Sequence, residues 1–138
     1  MPVSPIIFFR LGPLAVMAVT RILLVEDDRA TLKVMTRLLG KAPYVVKTAN
    51  TFASALAIAT SEDFDLIISD IGLPDGSGLE LMRQIRDRYA ARGIALSGYG
   101  MEEDIRRSRE AGFLAHLTKP VDFQKLQVAI QQVTASAN

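Results

Sequence analysis

Short continuous apolar runs alternate with segments of helical periodicity from Arg21 to Val133. A continuous apolar run is typical of a strand buried on both faces, and apolar residues at i, i+3 and i+7 indicate one face of a helix. The runs predicted as strands are RILLV, YVVKT, DLIIS, GIALS and FLAHL. The helices predicted after them begin near Ala30, Thr51, Ser77, Met101 and Asp122.

This alternation predicts an α/β fold. Five strands that alternate with five helices through short connections indicate a five-stranded parallel sheet with helices on both faces, a three-layer sandwich. Gly40 is expected to end the first helix, and Asp122 is expected to cap the last. In such sheets the ligand site lies outside the carboxyl ends of the strands.

Composition and length narrow the class of protein. A chain of 138 residues, 49% of them hydrophobic, is expected to form one globular domain. A net charge of +1 gives no bulk attraction to nucleic acid or to a membrane surface, and neither is expected as a partner. The absence of cysteine excludes disulfides and thiolate chemistry, and it fits a cytoplasmic protein.

The ends of the chain are predicted to lie outside the domain, which we place at residues 20–135. Residues 1–19 are apolar, but Arg10 and the Gly12-Pro13 pair interrupt them, so no run is long enough to span a bilayer. We interpret them as an upstream extension; a packing arm or a linker from a longer parent protein is the alternative. Residues 136–138 are expected to be a frayed end.

Chemically special residues follow four of the five predicted strands. Glu26 and Asp27 end the first strand, Asp70 ends the third, Ser97 ends the fourth, and Lys119 follows the fifth. Oxygen ligands without His or Cys favour Mg²⁺. A metal, a lysine and a hydroxyl around a carboxylate would neutralise a transferring phosphoryl group, and the carboxylate can act as the nucleophile. We therefore predict that Asp70 forms an aspartyl phosphate.

The motifs ILLVEDD, DLIISDIGLPDGSGLELM, IALSGYG and HLTKP resemble those of two-component response regulator receiver domains. The resemblance covers about residues 20–135 and implies a flavodoxin-like (βα)5 sandwich. It implies that Asp70 is the phosphoacceptor, that Asp27 binds Mg²⁺ directly, and that Glu26 acts mainly through water. The Gly72 carbonyl would be a further metal ligand.

The same resemblance assigns the remaining positions. Ser97 matches the switch hydroxyl and Lys119 the phosphate-pairing lysine, with a cis bond to Pro120. His116 departs from the family, which usually has Tyr or Phe there. It is either a partly exposed edge histidine or a modified, pH-sensitive switch. Tyr99 is a second candidate for the aromatic role on the switch and partner face.

The predicted fourth helix is highly charged. Glu102–Arg106 and Glu103–Arg107 are expected to form i,i+4 pairs on a solvated face. In receivers, however, the fourth helix, fifth strand and fifth helix form the face that changes on phosphorylation and contacts partners. We interpret the individual charges as solvated and the face as functional. A homodimer through it is one partner arrangement that the resemblance suggests.

The leading hypothesis is a receiver that accepts a phosphoryl group from a histidine kinase or a histidine phosphotransfer protein. Such a receiver is a signalling protein that catalyses its own phosphorylation and dephosphorylation, not an enzyme with a separate substrate. It would be a stand-alone regulator, a phosphorelay shuttle or part of a hybrid kinase. An aspartyl-phosphate phosphatase is disfavoured because Gly72 stands where such enzymes have a second acid. A docking module without phosphorylation is the other alternative.

Overall fold

A computed structural model of the chain describes residues 19–41, 44–88, 92–98, 100 and 102–135. Tyr99, almost all of the predicted N-terminal extension and the predicted frayed end lie outside these ranges. Within the described residues, no helix combines the length and the apolar character needed to cross a membrane.

The main sheet contains the five strands that the sequence predicts. They are β1 (Thr20–Val25), β2 (Tyr44–Ala49), β3 (Leu66–Asp70), β6 (Arg92–Ser97) and β7 (Ala115–Thr118). A small antiparallel hairpin, β4 (Gly72–Leu73) and β5 (Gly76–Ser77), lies between β3 and the third helix. The helices are α1 (Arg29–Leu39), α2 (Phe52–Ser61), α3 (Gly78–Ile85), α4 (Glu102–Ala111) and α5 (Phe123–Ala135).

The strand order is β2-β1-β3-β6-β7, and every neighbouring pair is parallel. This is the doubly wound order of a flavodoxin-like fold, so the predicted (βα)5 sandwich is confirmed. Because the chain runs outward in opposite directions from the centre, a crevice opens at the carboxyl ends of β1 and β3. The register pairs Val25 with Ser69 and Asp70 with Leu96, which places the ends of β1, β3 and β6 at one edge.

Two apolar layers hold the helices against the sheet. On one face, α1 and α5 pack against side chains of β1, β3 and β6, with Leu39 and Ile130 fully buried. On the other face, α2 and α3 pack against β1 and β3, and α4 joins through a smaller cluster around Met82 and Phe113. The three central strands are almost continuously buried, which explains their unbroken apolar sequences.

Polar side chains cap the helices where the sequence changes from loop to helix. The Asp122 carboxylate accepts from the Gln124 backbone N–H at 2.8 Å, as predicted for the start of α5. Thr51 and Ser54 form a reciprocal capping box at α2. The N–H of Gly40 closes α1 on the Thr36 carbonyl at 2.8 Å, which confirms the predicted end of that helix.

One local prediction is wrong, and one small element was not predicted. The helical pattern SGLELMRQIRDRYA predicts a third helix from Ser77 to Ala90. The helix instead ends at Ile85, and residues 86–88 form a turn. There the Arg88 N–H bonds the Ile85 carbonyl at 3.1 Å, a shorter-range bond that tightens the end of a helix. The hairpin was not predicted, because its two strands have two residues each and carry no apolar alternation.

Candidate functional site

Three carboxylates lie together at the carboxyl ends of β1 and β3. One oxygen from each of Glu26, Asp27 and Asp70 lies within 4.8 Å of the others. Glu26 is fully buried, Asp70 is nearly so, and Asp27 is exposed. The structure therefore brings together the three acids that the sequence predicts, with one side open to solvent.

Lys119 connects two of these acids. Its Nζ lies 2.8 Å from Asp70 Oδ2 and 2.8 Å from Glu26 Oε1. Burial alone would lower the pKa of Lys119, but the contacts with Asp70 and Glu26 outweigh it and the pKa is raised. The ammonium therefore stays charged between the two carboxylates. The Lys119-Pro120 peptide bond is cis, as the resemblance implies.

Glu26 is held in an unusual environment for an acid. Its Oε2 accepts a hydrogen bond from the Asp28 backbone N–H at 3.1 Å. Its Oε1 contacts the Lys119 ammonium but receives no well-aligned hydrogen bond. Burial raises the pKa of Glu26, with the nearby Asp70 charge adding to it, while Lys119 and the Asp28 N–H oppose the rise. A buried acid with an unsatisfied oxygen is well suited to a further cation.

The donor set fits Mg²⁺. Within the part of the chain that the structure describes, the grouped ligands are carboxylates only, without His. Hard oxygen donors with one side open to water suit an ion that retains several waters and contacts phosphate oxygens. The buried, incompletely satisfied Oε1 of Glu26 is the feature of the protein that supports this fit.

Asp28, the acid that follows Glu26 and Asp27 in the chain, belongs to the start of α1. Its Oδ2 accepts from the Thr31 backbone N–H at 2.9 Å and from the Thr31 hydroxyl at 2.5 Å. These bonds lower the pKa of Asp28. The side chain is therefore the N-cap of α1, immediately after the two site acids.

The loop after Asp70 fixes the direction of its side chain. The Gly72 N–H donates to Asp70 Oδ1 at 3.2 Å, and the Gly78 N–H donates to the Ile71 carbonyl at 2.8 Å. Gly78 lies so close to the strand that a Cβ there would stand 2.2 Å from the Asp70 carbonyl oxygen. The tight return of the chain to the start of α3 therefore requires glycine at this position.

Asp75 holds the hairpin against α2 and was not singled out from the sequence. Its carboxylate accepts from the backbone N–H groups of Phe52 at 2.6 Å and Ala53 at 3.0 Å. These two bonds, that from Ala53 first, lower the pKa of Asp75. The Pro-Asp-Gly sequence indicates only a turn, and the contact with α2 depends on the tertiary fold.

Ser97 and His116 contact each other at the ends of β6 and β7. Ser97 Oγ lies 3.2 Å from His116 Nε2, and the other ring nitrogen, Nδ1, lies 3.0 Å from Ser108 Oγ. Ser108 belongs to α4 and is almost fully buried. His116 is half-buried between these two serines. Nothing in the sequence singles out Ser108, because a serine in a charged helix is normally exposed.

The charged side chains of α4 form a network on the helix surface. The predicted Glu103–Arg107 pair is present at 3.3 Å. The predicted Glu102–Arg106 pair is wrong: Arg106 instead contacts Glu103, three residues before it, and Glu110, four residues after it. These two acids flank Arg106 along the helix and engage both ends of its guanidinium.

Comparison with known proteins identifies the family of this chain. The family model for the response regulator receiver domain matches residues 22–131. The chain therefore belongs to the receiver domain family and is a two-component response regulator receiver domain. It is 35% identical over 112 residues to the KDP operon transcriptional regulatory protein KdpE of Escherichia coli. It is 32% identical over 106 residues to the response regulator protein PilR of Pseudomonas aeruginosa.

Solved structures agree in fold. A CheY-like receiver domain from Methanospirillum hungatei superposes with a TM-score of 0.78 at 34% identity, covering 83% of this chain and 93% of that one. The chemotaxis protein CheY4 of Vibrio cholerae gives 0.78 at 28% identity, covering 84% and 99%. The matched regions are 81% of this chain and 50% of KdpE, and 76% of this chain and 24% of PilR. The chain thus spans half or less of these two relatives.

Proposed function

We propose that this receiver accepts a phosphoryl group on Asp70 from the phosphohistidine of a histidine kinase or a histidine phosphotransfer protein. The observation that carries the proposal is the position of Lys119, whose ammonium contacts Asp70 and Glu26 at 2.8 Å each. A nearly buried carboxylate paired with a cation at an open sheet edge is suited to attack phosphorus and to have the new charge neutralised. The proposed domain is residues 20–135, in the cytoplasm.

The transfer has a simple balance of bonds. An oxygen of the Asp70 carboxylate attacks phosphorus, the P–N bond to the donor histidine breaks, and its electron pair stays on the imidazole nitrogen. The product is an acyl phosphate on Asp70. Lys119 then pairs with a phosphoryl oxygen, and the Ser97 hydroxyl donates to another. Attack by water on the same phosphorus would break its bond to the Asp70 oxygen, release inorganic phosphate and return the free carboxylate.

Mg²⁺ would be held by Asp27 and Asp70 with the Gly72 carbonyl, and Glu26 would act mainly through water. When bound, the ion supplies charge neutralisation to the transferring phosphoryl oxygens. The carboxylate cluster, with an oxygen of each acid within 4.8 Å of the others, supports this assignment. The Gly72 N–H to Asp70 bond keeps the loop backbone beside the acceptor, which supports a role for its carbonyl.

Phosphorylation would act by shifting a conformational equilibrium. A new acceptor at Asp70 favours the arrangement in which Ser97 donates to it, and the change reaches the partner face of α4, β7 and α5. That face would bind a downstream partner or a second copy of the chain.

The test is intact-protein mass after incubation with acetyl phosphate, with and without Mg²⁺. We expect one added phosphoryl group that requires Mg²⁺ and is absent in Asp70→Asn. Asp75→Asn is the matched control, because Asp75 lies in the same loop but caps α2; it should still be phosphorylated. No addition to a folded wild-type protein would contradict the proposal and favour a docking module.

A further inference from the structure

His116 connects the switch hydroxyl of Ser97 to the interior of α4. One ring nitrogen faces Ser97 Oγ at 3.2 Å and the other faces Ser108 Oγ at 3.0 Å. Both serines are nearly inaccessible to solvent. A single side chain of β7 therefore touches the end of β6 and one turn of α4 at the same time.

The hydrogen bonds of Ser108 determine which ring nitrogen carries the proton. The Ser108 hydroxyl donates to the Ile105 carbonyl at 2.8 Å. A hydroxyl has one hydrogen to donate, so in its contact with His116 Ser108 must be the acceptor. His116 Nδ1 therefore carries the hydrogen, and in the neutral ring Nε2 is left as an acceptor. The hydrogen between Ser97 and His116 then comes from the Ser97 hydroxyl.

We propose that His116 is a positioning residue that holds the Ser97 hydroxyl as a donor toward β7 until the phosphoryl group draws it away. The proposal rests on the phosphorylation of Asp70 proposed above. Ser97 can donate its hydrogen to a phosphoryl oxygen only when its bond to Nε2 breaks. Because the opposite side of the ring contacts Ser108, loss of the bond between Ser97 and His116 would change the contact between β7 and α4.

Replacing Ser108 tests this chain of bonds away from the phosphorylation site. Ser108→Ala removes the acceptor for Nδ1–H, so the ring can adopt the Nε2–H form and donate to Ser97 Oγ. His116 then no longer takes the Ser97 hydrogen, so Ser97 can donate to the phosphoryl oxygen while its contact with His116 is kept. We expect Ser108→Ala to raise the rate of phosphorylation by acetyl phosphate by about two- to tenfold, the equivalent of one net hydrogen bond.

A double-mutant cycle with His116→Phe separates this role from a general effect on packing. In the His116→Phe background the tautomer no longer exists, so Ser108→Ala should leave the rate unchanged. Ser61→Ala is the matched control, because the Ser61 hydroxyl also bonds a carbonyl three residues earlier, that of Ile58, at 3.1 Å in α2. It should behave like the wild type.

The deciding measurement is the ¹⁵N spectrum of the imidazole, which reads the tautomer without any phosphorylation. We expect the Nδ1–H form in the wild-type protein and more Nε2–H form in Ser108→Ala. An Nε2–H wild type, or a Ser108→Ala effect equal in both His116 backgrounds, would overturn the proposal. Failure of the wild type and every variant to accept a phosphoryl group would overturn the proposed function and this role with it. In that case an Nδ1–H spectrum would still show that the hydrogen bonds from Ser97 through His116 to Ser108 exist.

Discussion

Gly78→Ala is expected to lower the stability of the domain and to displace Asp70, the proposed phosphoacceptor. A Cβ at Gly78 would lie 2.2 Å from the Asp70 carbonyl oxygen and 3.0 Å from Ile71 Cα, whereas ordinary contacts begin near 3.4 Å. The obstructing atoms belong to backbone and cannot rotate away. The strand end or the start of α3 must therefore move by on the order of 1 Å to restore ordinary contact.

The size of the effect follows from two opposing contributions. Overpacking of a buried position costs about 1–3 kcal/mol. Alanine in place of glycine favours a helix by up to about 1 kcal/mol, and less at the first helical residue, where Gly78 lies. The cost of the clash therefore exceeds the gain in helix propensity. We expect a net loss of unfolding free energy that lowers the urea midpoint by about 0.5–1 M at ordinary denaturant sensitivity.

Gly72→Ala is the matched control, because a Cβ at Gly72 meets no atom within 4 Å. Its urea midpoint should equal that of the wild type. The rate of phosphorylation by acetyl phosphate gives a second readout, since displacing Asp70 by about 1 Å can cost on the order of 10²-fold. If the Gly78→Ala and Gly72→Ala proteins unfold at the same urea concentration, the close approach of α3 to β3 is not a constraint on the fold.

Three further predictions concern charge. The pKa of Glu26 is raised from 4.5 in the folded protein. The stabilisation that Glu26 contributes is therefore complete below pH 4.5 and is lost as pH rises through the folded pKa. Glu26→Gln should remove this pH-dependent loss from urea midpoints measured in EDTA. Mg²⁺ at about 100 times its Kd should stabilise the wild type by about 2.7 kcal/mol, and Asp27→Ala should lose most of that gain in thermal melts. The pKa of Asp75 is lowered from 3.8 in the folded protein, so the stabilisation that Asp75 contributes is complete above pH 3.8 and is lost as pH falls through the folded pKa. Asp75→Ala should therefore be less stable at neutral pH than the wild type, with faster hydrogen exchange at Phe52 and Ala53; unchanged exchange would contradict the cap.

The features of the fold and the candidate site that the sequence predicts are those that follow from hydrophobic periodicity and from the residues at the ends of strands. Unbroken apolar runs predict strands buried on both faces, and parallel topology alone brings Glu26, Asp70 and Lys119 to one edge. Local capping chemistry likewise predicts Asp122 at the start of α5. These features depend on neighbours in sequence or on the order of elements, both of which are visible in the chain.

The parts that could not be predicted depend on contacts between distant segments. Asp75 caps a helix that begins 23 residues earlier in the chain, and Ser108 finds His116 only because α4 packs beside β7. The early end of α3 at Ile85 is set by a local bond geometry that apolar spacing does not encode. In each case the residue type is ordinary, and its partner is chosen by the tertiary fold.

Lys119 also sets the charge that a cation bound at the proposed site would have to balance. Three carboxylates gather at the sheet edge and one ammonium lies among them, so with all groups ionised the formal charge of the cluster is −2. One divalent cation would bring this to zero, whereas a monovalent cation would leave −1. Transfer of a phosphoryl group to Asp70 would replace one negative charge with two, and the cluster with a divalent ion would become −1. With a divalent ion bound, the single lysine would thus leave the unphosphorylated site electrically neutral, and phosphorylation would make it an anion.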